Sequence, residues 1–284
     1  MIGFIGLGQM GHPMAANIAA SGAELIVYDK AGTVERAPDG AKPAESLEQV
    51  AQVAETIFLS LPDGPVSLAA AREIAELSDI ATRLVVDLST IGPDAAREAN
   101  SILKAAGVGY ADAPVSGGAA GARAASITIM WSGSGKELER HKDVLNSFSK
   151  NQFHVGDLPG QGQALKILNN FLSATAMAAT SEAVLYGLSE GLEMGTLLEV
   201  VNASTGMNTA TRDKFPDRVE TGTFDAGFKT ALLAKDVRLY LENTRKSGTA
   251  DKLGNLVSEI WNDCDEALPG ADFTRIYQFV RDNK

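Results

Sequence analysis

The sequence predicts an α/β chain, with a mainly parallel sheet domain first and an all-helical C-terminal domain after it. Three observations carry this expectation. Short apolar runs alternate with amphipathic stretches through the first 160 residues, which is the rhythm of strand and helix. The apolar runs are continuous rather than alternating, as in strands covered on both faces. Beyond residue 160 the strand pattern stops and long helical stretches take over.

Residues 2–7 form the first apolar run, and HPMAANIAAS after Gly11 reads as a helix stopped by Gly22. ELIVYDK (24–30) is a strand ending in Asp29, followed by a short helix near 45–53. ETIFLSLPD (55–63) is a strand closed by Pro62, REIAELS is helical, and RLVVDLST (83–90) is a further buried strand. The amphipathic stretch 94–107 ends on Gly107. Segments 108–116, 126–133 and 152–156 then read as strands, with a helix over 137–149.

The second half opens with one long helix over 162–191, apolar enough to be buried on much of its circumference. It is followed by a helical piece at 196–204, a turn-rich region at 208–219, a helix within 227–248 and a last helix around 249–265. The expected domains are therefore 1–161 and 162–284, the second beginning with the long interdomain helix.

A net charge of -11 argues against a nucleic-acid partner, because phosphate backbones need a basic surface. A small anion held in a local positive site remains compatible with it. Cys264 is the only cysteine, and His12, His141 and His154 have no ligand-like spacing, so no metal site is expected. No basic leader or long apolar run is seen, so neither export nor membrane insertion is expected, and the cytoplasm is the expected compartment.

Gly6-x-Gly8-x-x-Gly11 follows a strand and opens a helix, the context in which glycines cradle a pyrophosphate on free backbone N–H groups. Asp29, at the end of the second strand, is placed to accept hydrogen bonds from an adenosine ribose. Asp29 would repel a 2′-phosphate while Lys30 would attract one; the carboxylate favours NAD, with NADP the alternative. In DLSTIGP (87–93), Ser89 and Thr90 either cap the next helix or bring Thr90 to the nicotinamide, and the two roles are compatible. DAPVSGG (112–118) offers the Ser116 hydroxyl beside the N–H groups of Gly117 and Gly118, either a carboxylate cradle or simply a loop.

In Gly160-x-Gly162-x-x-x-Lys166-x-x-Asn169-Asn170, Lys166 and Asn170 share one helical face among apolar neighbours. Such a lysine either snorkels to solvent or is buried, and burial lowers a lysine's pKa toward the range useful for proton transfer. Lys235-Asp236 lies in the apolar helix ALLAKDVRLYL. Lys235 reads as a group that reaches cofactor or substrate, and Asp236 as a pin for a helix or domain contact.

Taken in order, GLGQMGHPMAANIAASG, DLSTIGP, DAPVSGGAAGA, GQGQALKILNN and LLAKDV resemble the β-hydroxyacid dehydrogenase family over essentially the whole chain. The resemblance implies a Rossmann domain joined through one long helix to an all-helical domain, with the active site between them. It implies Lys166 as the catalytic group and Asn170 as its partner in positioning substrate. Ser116, Gly117 and Gly118 would hold the substrate carboxylate, with Lys235 nearby. Gly6, Leu7, Gly8, Gln9, Met10, Gly11, Asp29, Lys30, Leu61, Pro62, Thr90 and Lys235 would meet the cofactor.

Two departures stand out. Asp29-Lys30 replaces the Asn-Arg that NADP-using relatives often carry, and HVGDLPGQG has one residue more than the usual spacing before its second glycine. Imine reductases share the architecture but usually lack the lysine, and the decarboxylating 6-phosphogluconate dehydrogenases have a much larger helical domain. The expected activity is reversible hydride transfer between NAD(P), NAD favoured, and a short 3-hydroxy acid of the 3-hydroxyisobutyrate kind. Tartronate semialdehyde reduction is the alternative, and a non-catalytic dinucleotide reader is the remoter one. The alanine-rich stretch 163–187 has more apolar surface than one small domain covers, so a homo-oligomer, dimer or tetramer, is expected.

Overall fold

The computed structural model describes residues 1–283, which divide into two compact units, 1–166 and 167–283. The first unit holds strands β1 (Ile2–Ile5), β2 (Leu25–Tyr28), β3 (Lys42–Pro43), β4 (Thr56–Leu59), β5 (Leu84–Asp87), β6 (Gly109–Asp112), β7 (Val115–Ser116), β8 (Ile127–Ser132) and β9 (Ser149–Gly156). Its helices are α1 (Gly11–Ala20), α2 (Leu47–Val53), α3 (Gly64–Glu76), α4 (Pro93–Ala105), α5 (Gly118–Arg123), α6 (Gly135–Arg140) and α7 (Lys142–Phe148). Helix α8 (Gln161–Ser189) crosses from one unit into the other.

The sheet order is β3-β2-β1-β4-β5-β6-β8-β7, with β9 on β8. The strands from β3 to β6 are parallel, while β8 runs antiparallel to β6 and β7. This is a Rossmann arrangement, and the strand order reverses between β1 and β4. Adjacent residues explain the unbroken apolar runs. Phe4, Val27, Phe58 and Val86 pack on one face with Met14, Ile18 and Phe148. Their neighbours Ile5, Ile26, Ile57 and Val85 pack on the other with Val50, Ile74 and Leu103.

The second unit contains the rest of α8 with α9 (Met194–Asn202), α10 (Thr230–Ser247), α11 (Lys252–Ala267) and α12 (Ile276–Asp282). Phe171, Met177, Val184, Leu198, Phe215, Val237, Trp261 and Ile276 form its core. Two expectations need correction here. The region 208–219 is a wide i→i+5 helix over Ala210–Val219 rather than turns, with the Asn208 carboxamide oxygen accepting from Ala210 and Thr211 at its start. Pro216 has no N–H to return to the carbonyl of Thr211 five residues back, and that carbonyl accepts from Asn202 Nδ2 at 3.0 Å instead. The helix near 249–265 is also not the last, since α12 follows a short 3-10 turn at Phe273–Arg275.

Candidate active site

At the end of β1 the chain turns through Gly6, whose φ of 94° suits glycine and where a Cβ would collide with the Ser60 carbonyl. Gly11 lies against the Gly6 carbonyl, so helix α1 starts tightly on the sheet. Gly8 differs, because a Cβ there would meet nothing within 4 Å. Helix α1 also begins without a side-chain cap. An open main-chain concavity at an uncapped helix start, beside the strand-order reversal, fits the phosphates of a dinucleotide.

Asp29 stands just beyond β2 with its side chain 11% exposed. Its Oδ2 accepts from the Leu7 N–H at 2.7 Å and its Oδ1 from the Ala31 N–H at 2.8 Å. The carboxylate therefore ties the strand end to the glycine turn, and each oxygen keeps a lone pair for a further donor. Arg36, which sequence reasoning passed over, lies 3.7 Å from Asp29. Six residues separate it from the strand-end acid, and no motif marks it.

Next along the sheet edge, the Leu61 N–H, adjoining Pro62, donates to Ser89 Oγ at 2.8 Å. The Ser89 N–H donates to Asp87 Oδ1 at 2.9 Å. The capping alternative for Ser89 and Thr90 is thereby corrected. Helix α4 has Gly92 at its N-cap and no side-chain cap, and Pro93 lies in its first turn. The N–H groups of Ile91 and Gly92 go instead to the Gln163 carboxamide. Ser116 ends β7, and Gly117 and Gly118 have φ of 134° and 64°, so this turn is closed to most side chains.

Asp87 and Asp112 are register partners on β5 and β6, both fully buried. Asp112 accepts from the Gly160 N–H at 2.7 Å and the Gln163 N–H at 2.9 Å, plugging the start of α8. Burial raises its pKa from 3.8 to about 6; the two backbone bonds pull it down and nearby Asp87 pushes it up again. Gly160 and Gly162 are required by contact, since a Cβ at Gly162 would collide with the Met130 carbonyl and lie 2.9 Å from Asp112.

Lys166 is buried, at 8% exposure, and closes the first unit. In the second unit, Asn170 Nδ2 donates to Asp236 Oδ2 at 2.6 Å, and Lys235 Nζ lies 3.2 Å from Asp236 Oδ1. Asp236, on α10, is thus the acceptor that orients the Asn170 amide on α8, and the expected helix pin is this bond. The expectation that α8 is buried on much of its circumference, drawn from these apolar neighbours of Lys166, is corrected as well. Ile167 and Phe171 are buried, whereas Leu165, Leu168 and Leu172 are 37%, 44% and 58% exposed. Apolar content marks a helix for packing but does not say which of its sides meets the rest of the chain.

Residues 1–156 match the family model described as the NAD binding domain of 6-phosphogluconate dehydrogenase. Residues 160–280 match the one described as NAD-binding of NADP-dependent 3-hydroxyisobutyrate dehydrogenase. A 3-hydroxyisobutyrate dehydrogenase of Pseudomonas aeruginosa is 35% identical, over 99% of this chain and 98% of its own length. The chain belongs to the β-hydroxyacid dehydrogenase family.

A second relative from Pseudomonas aeruginosa, an NAD-dependent L-serine dehydrogenase, is 35% identical over 92% of this chain and 90% of its own. Among solved structures, a Mycobacterium tuberculosis 3-hydroxyisobutyrate dehydrogenase with L-serine superposes with a TM-score of 0.91 at 30% identity. It covers 99% of this chain and 98% of its own. Membership makes this β-hydroxyacid dehydrogenase an NAD(P)-dependent oxidoreductase of small hydroxy acids or semialdehydes.

Proposed function

We propose that the protein reversibly oxidises a short 3-hydroxy acid of the 3-hydroxyisobutyrate kind, with NAD preferred. The observation that carries this reading is the buried Lys166 in the string that ends in Asn169-Asn170. A nicotinamide dinucleotide, when bound, supplies the hydride acceptor or donor.

The chain's own residues supply the rest. In the turn from Gly6 to Gly11 the main-chain N–H groups past Leu7, whose own N–H goes to Asp29, meet the phosphates, flanked by Leu61 and Pro62, and Asp29 accepts from the ribose, with Lys30 beside it. Ser116, Gly117 and Gly118 hold the substrate carboxylate and thereby orient the hydroxyl carbon. Uncharged Lys166 takes the hydroxyl proton in oxidation, and its ammonium form returns a proton to the oxygen in reduction. Asn170, held by Asp236, orients the substrate oxygen, while Lys235 and Thr90 border the nicotinamide. The presence of Asp29 supports NAD; Lys30 and Arg36 are the groups through which NADP would be accepted. The exposed row Leu165, Leu168 and Leu172 supports the expectation of a homo-oligomer.

The test is a screen of 3-hydroxyisobutyrate, 3-hydroxypropionate, glycerate, L-serine and tartronate semialdehyde with both cofactors, followed at the reduced-nicotinamide absorbance. Turnover of a 3-hydroxy acid with NAD is expected. Lys166→Ala should lower kcat by about 10³-fold while cofactor still binds. Undiminished turnover in that variant removes Lys166 from the chemistry, and a flat trace with every acid removes the enzymatic reading.

A further inference from the structure

One side chain holds the Thr90 segment from both sides. Gln163 Nε2 donates to the Ser89 carbonyl at 2.9 Å, and its Oε1 accepts from the Ile91 N–H at 2.9 Å and the Gly92 N–H at 3.1 Å. Gln163 has 0% exposure. The two carbonyl lone pairs and one amide hydrogen of a single carboxamide are therefore spent on main-chain groups flanking Thr90. A glutamate of the same length would have to take up a proton to donate, and losing the amide leaves buried polar groups unpaired.

Gln163 is itself fixed from behind. Asp112 takes its N–H and that of Gly160, and the crowding at Gly162 allows the helix start no slack. Lys166 follows three residues later, on the same face of α8. The Thr90 segment and Lys166 thus hang from one helical turn, and that turn is locked to β6.

We propose that Gln163 is a positioning residue, whose carboxamide fixes the separation between the Thr90 segment and Lys166. The link to turnover rests on the hydride-transfer reading, whereas the clamp itself does not.

The test compares Gln163→Met, which removes all three bonds at similar volume, with Gln163→Ala, which opens a polar space that water can fill and so keeps the fold within reach. Val257→Ala, in the core of the second unit, is the control for lost stability. Amide hydrogen exchange across residues 88–93, measured without ligand, should quicken about tenfold in both Gln163 variants and stay unchanged in the control. Their kcat should fall about 30-fold, with KM for the acid and Kd for the cofactor within about threefold of the parent. The control should retain kcat within about twofold at a similar loss of Tm.

Unchanged exchange at 88–93 in either folded variant overturns the clamp. A kcat loss no larger than the control's, or one matched by an equal loss of cofactor affinity, overturns the positioning role. A parent protein inert toward every acid refutes the hydride-transfer reading, and the ligand-free exchange then still decides the clamp.

Discussion

Two glycine-bearing turns in the first unit each lead a strand into a helix, and they finish in opposite ways. Gly6-x-Gly8 carries β1 into α1, leaving an uncapped helix start and open space at Gly8. Gly160-x-Gly162 follows β9 into α8, where the Asp112 carboxylate fills the helix start and Gly162 is pressed against the Met130 carbonyl. Both patterns report that something approaches the main chain closely. In the second turn that something is the protein itself, and the first is left for an anion from outside.

The contrast can be broken most forcefully at Gly162. Gly162→Ala should cost about 3 kcal/mol in urea unfolding, since neither the Met130 carbonyl nor Asp112 is a flexible end that can yield. Undiminished stability would mean that the second turn is as open as the first.

Asp112 sharpens the same point through pH. Its folded pKa of about 6 lies above the ordinary 3.8, so the fold favours the protonated acid. The linked stability, about 3 kcal/mol, is full below pH 3.8 and is lost as pH rises through 6. The stability difference between the parent and Asp112→Asn should therefore shift against the parent by that amount between pH 3.5 and 7.5, roughly the span of the titration. An equal difference at both pH values would show that burial does not perturb this carboxyl.

At the open turn the expected effects are smaller and fall on binding. Gly8→Ala should leave Tm unchanged and weaken cofactor at least about tenfold, or about 1.4 kcal/mol, because the methyl enters space that only a ligand would use. Unchanged affinity would mean that the concavity is not the phosphate site. Asp29→Ala should weaken NAD about fivefold more than NADP, a ratio that discounts the lost Leu7 bond common to both. Equal losses would leave Asp29 a purely structural tie.

The sheet was legible in the sequence because neighbouring pairs such as Phe4-Ile5 and Ile57-Phe58 serve opposite faces, which leaves an unbroken apolar run. The nucleotide turn was legible for a similar reason, since strand, glycines, helix and terminal acid are contiguous. Elements of two to seven residues, such as β3, α5 and α12, carry too little periodicity to stand out. The wide helix at 210–219 hid behind Asn208, Thr209, Asp213 and Pro216, residues that favour turns in any local reading. Gln163 was missed because a glutamine between Gly162 and Ala164 looks like an ordinary helix surface residue. Its only signal was a polar side chain one turn before Lys166 on the same face.

The hydrogen bonds of the Gln163 clamp run to carbonyl and amide groups of the main chain within residues 89–92. Such a grip is indifferent to the alphabet at those positions. The three bonds hold the trace of the loop whichever side chain stands at 90, the position that the proposed function sets beside the nicotinamide, so that edge can be retailored without rebuilding its frame.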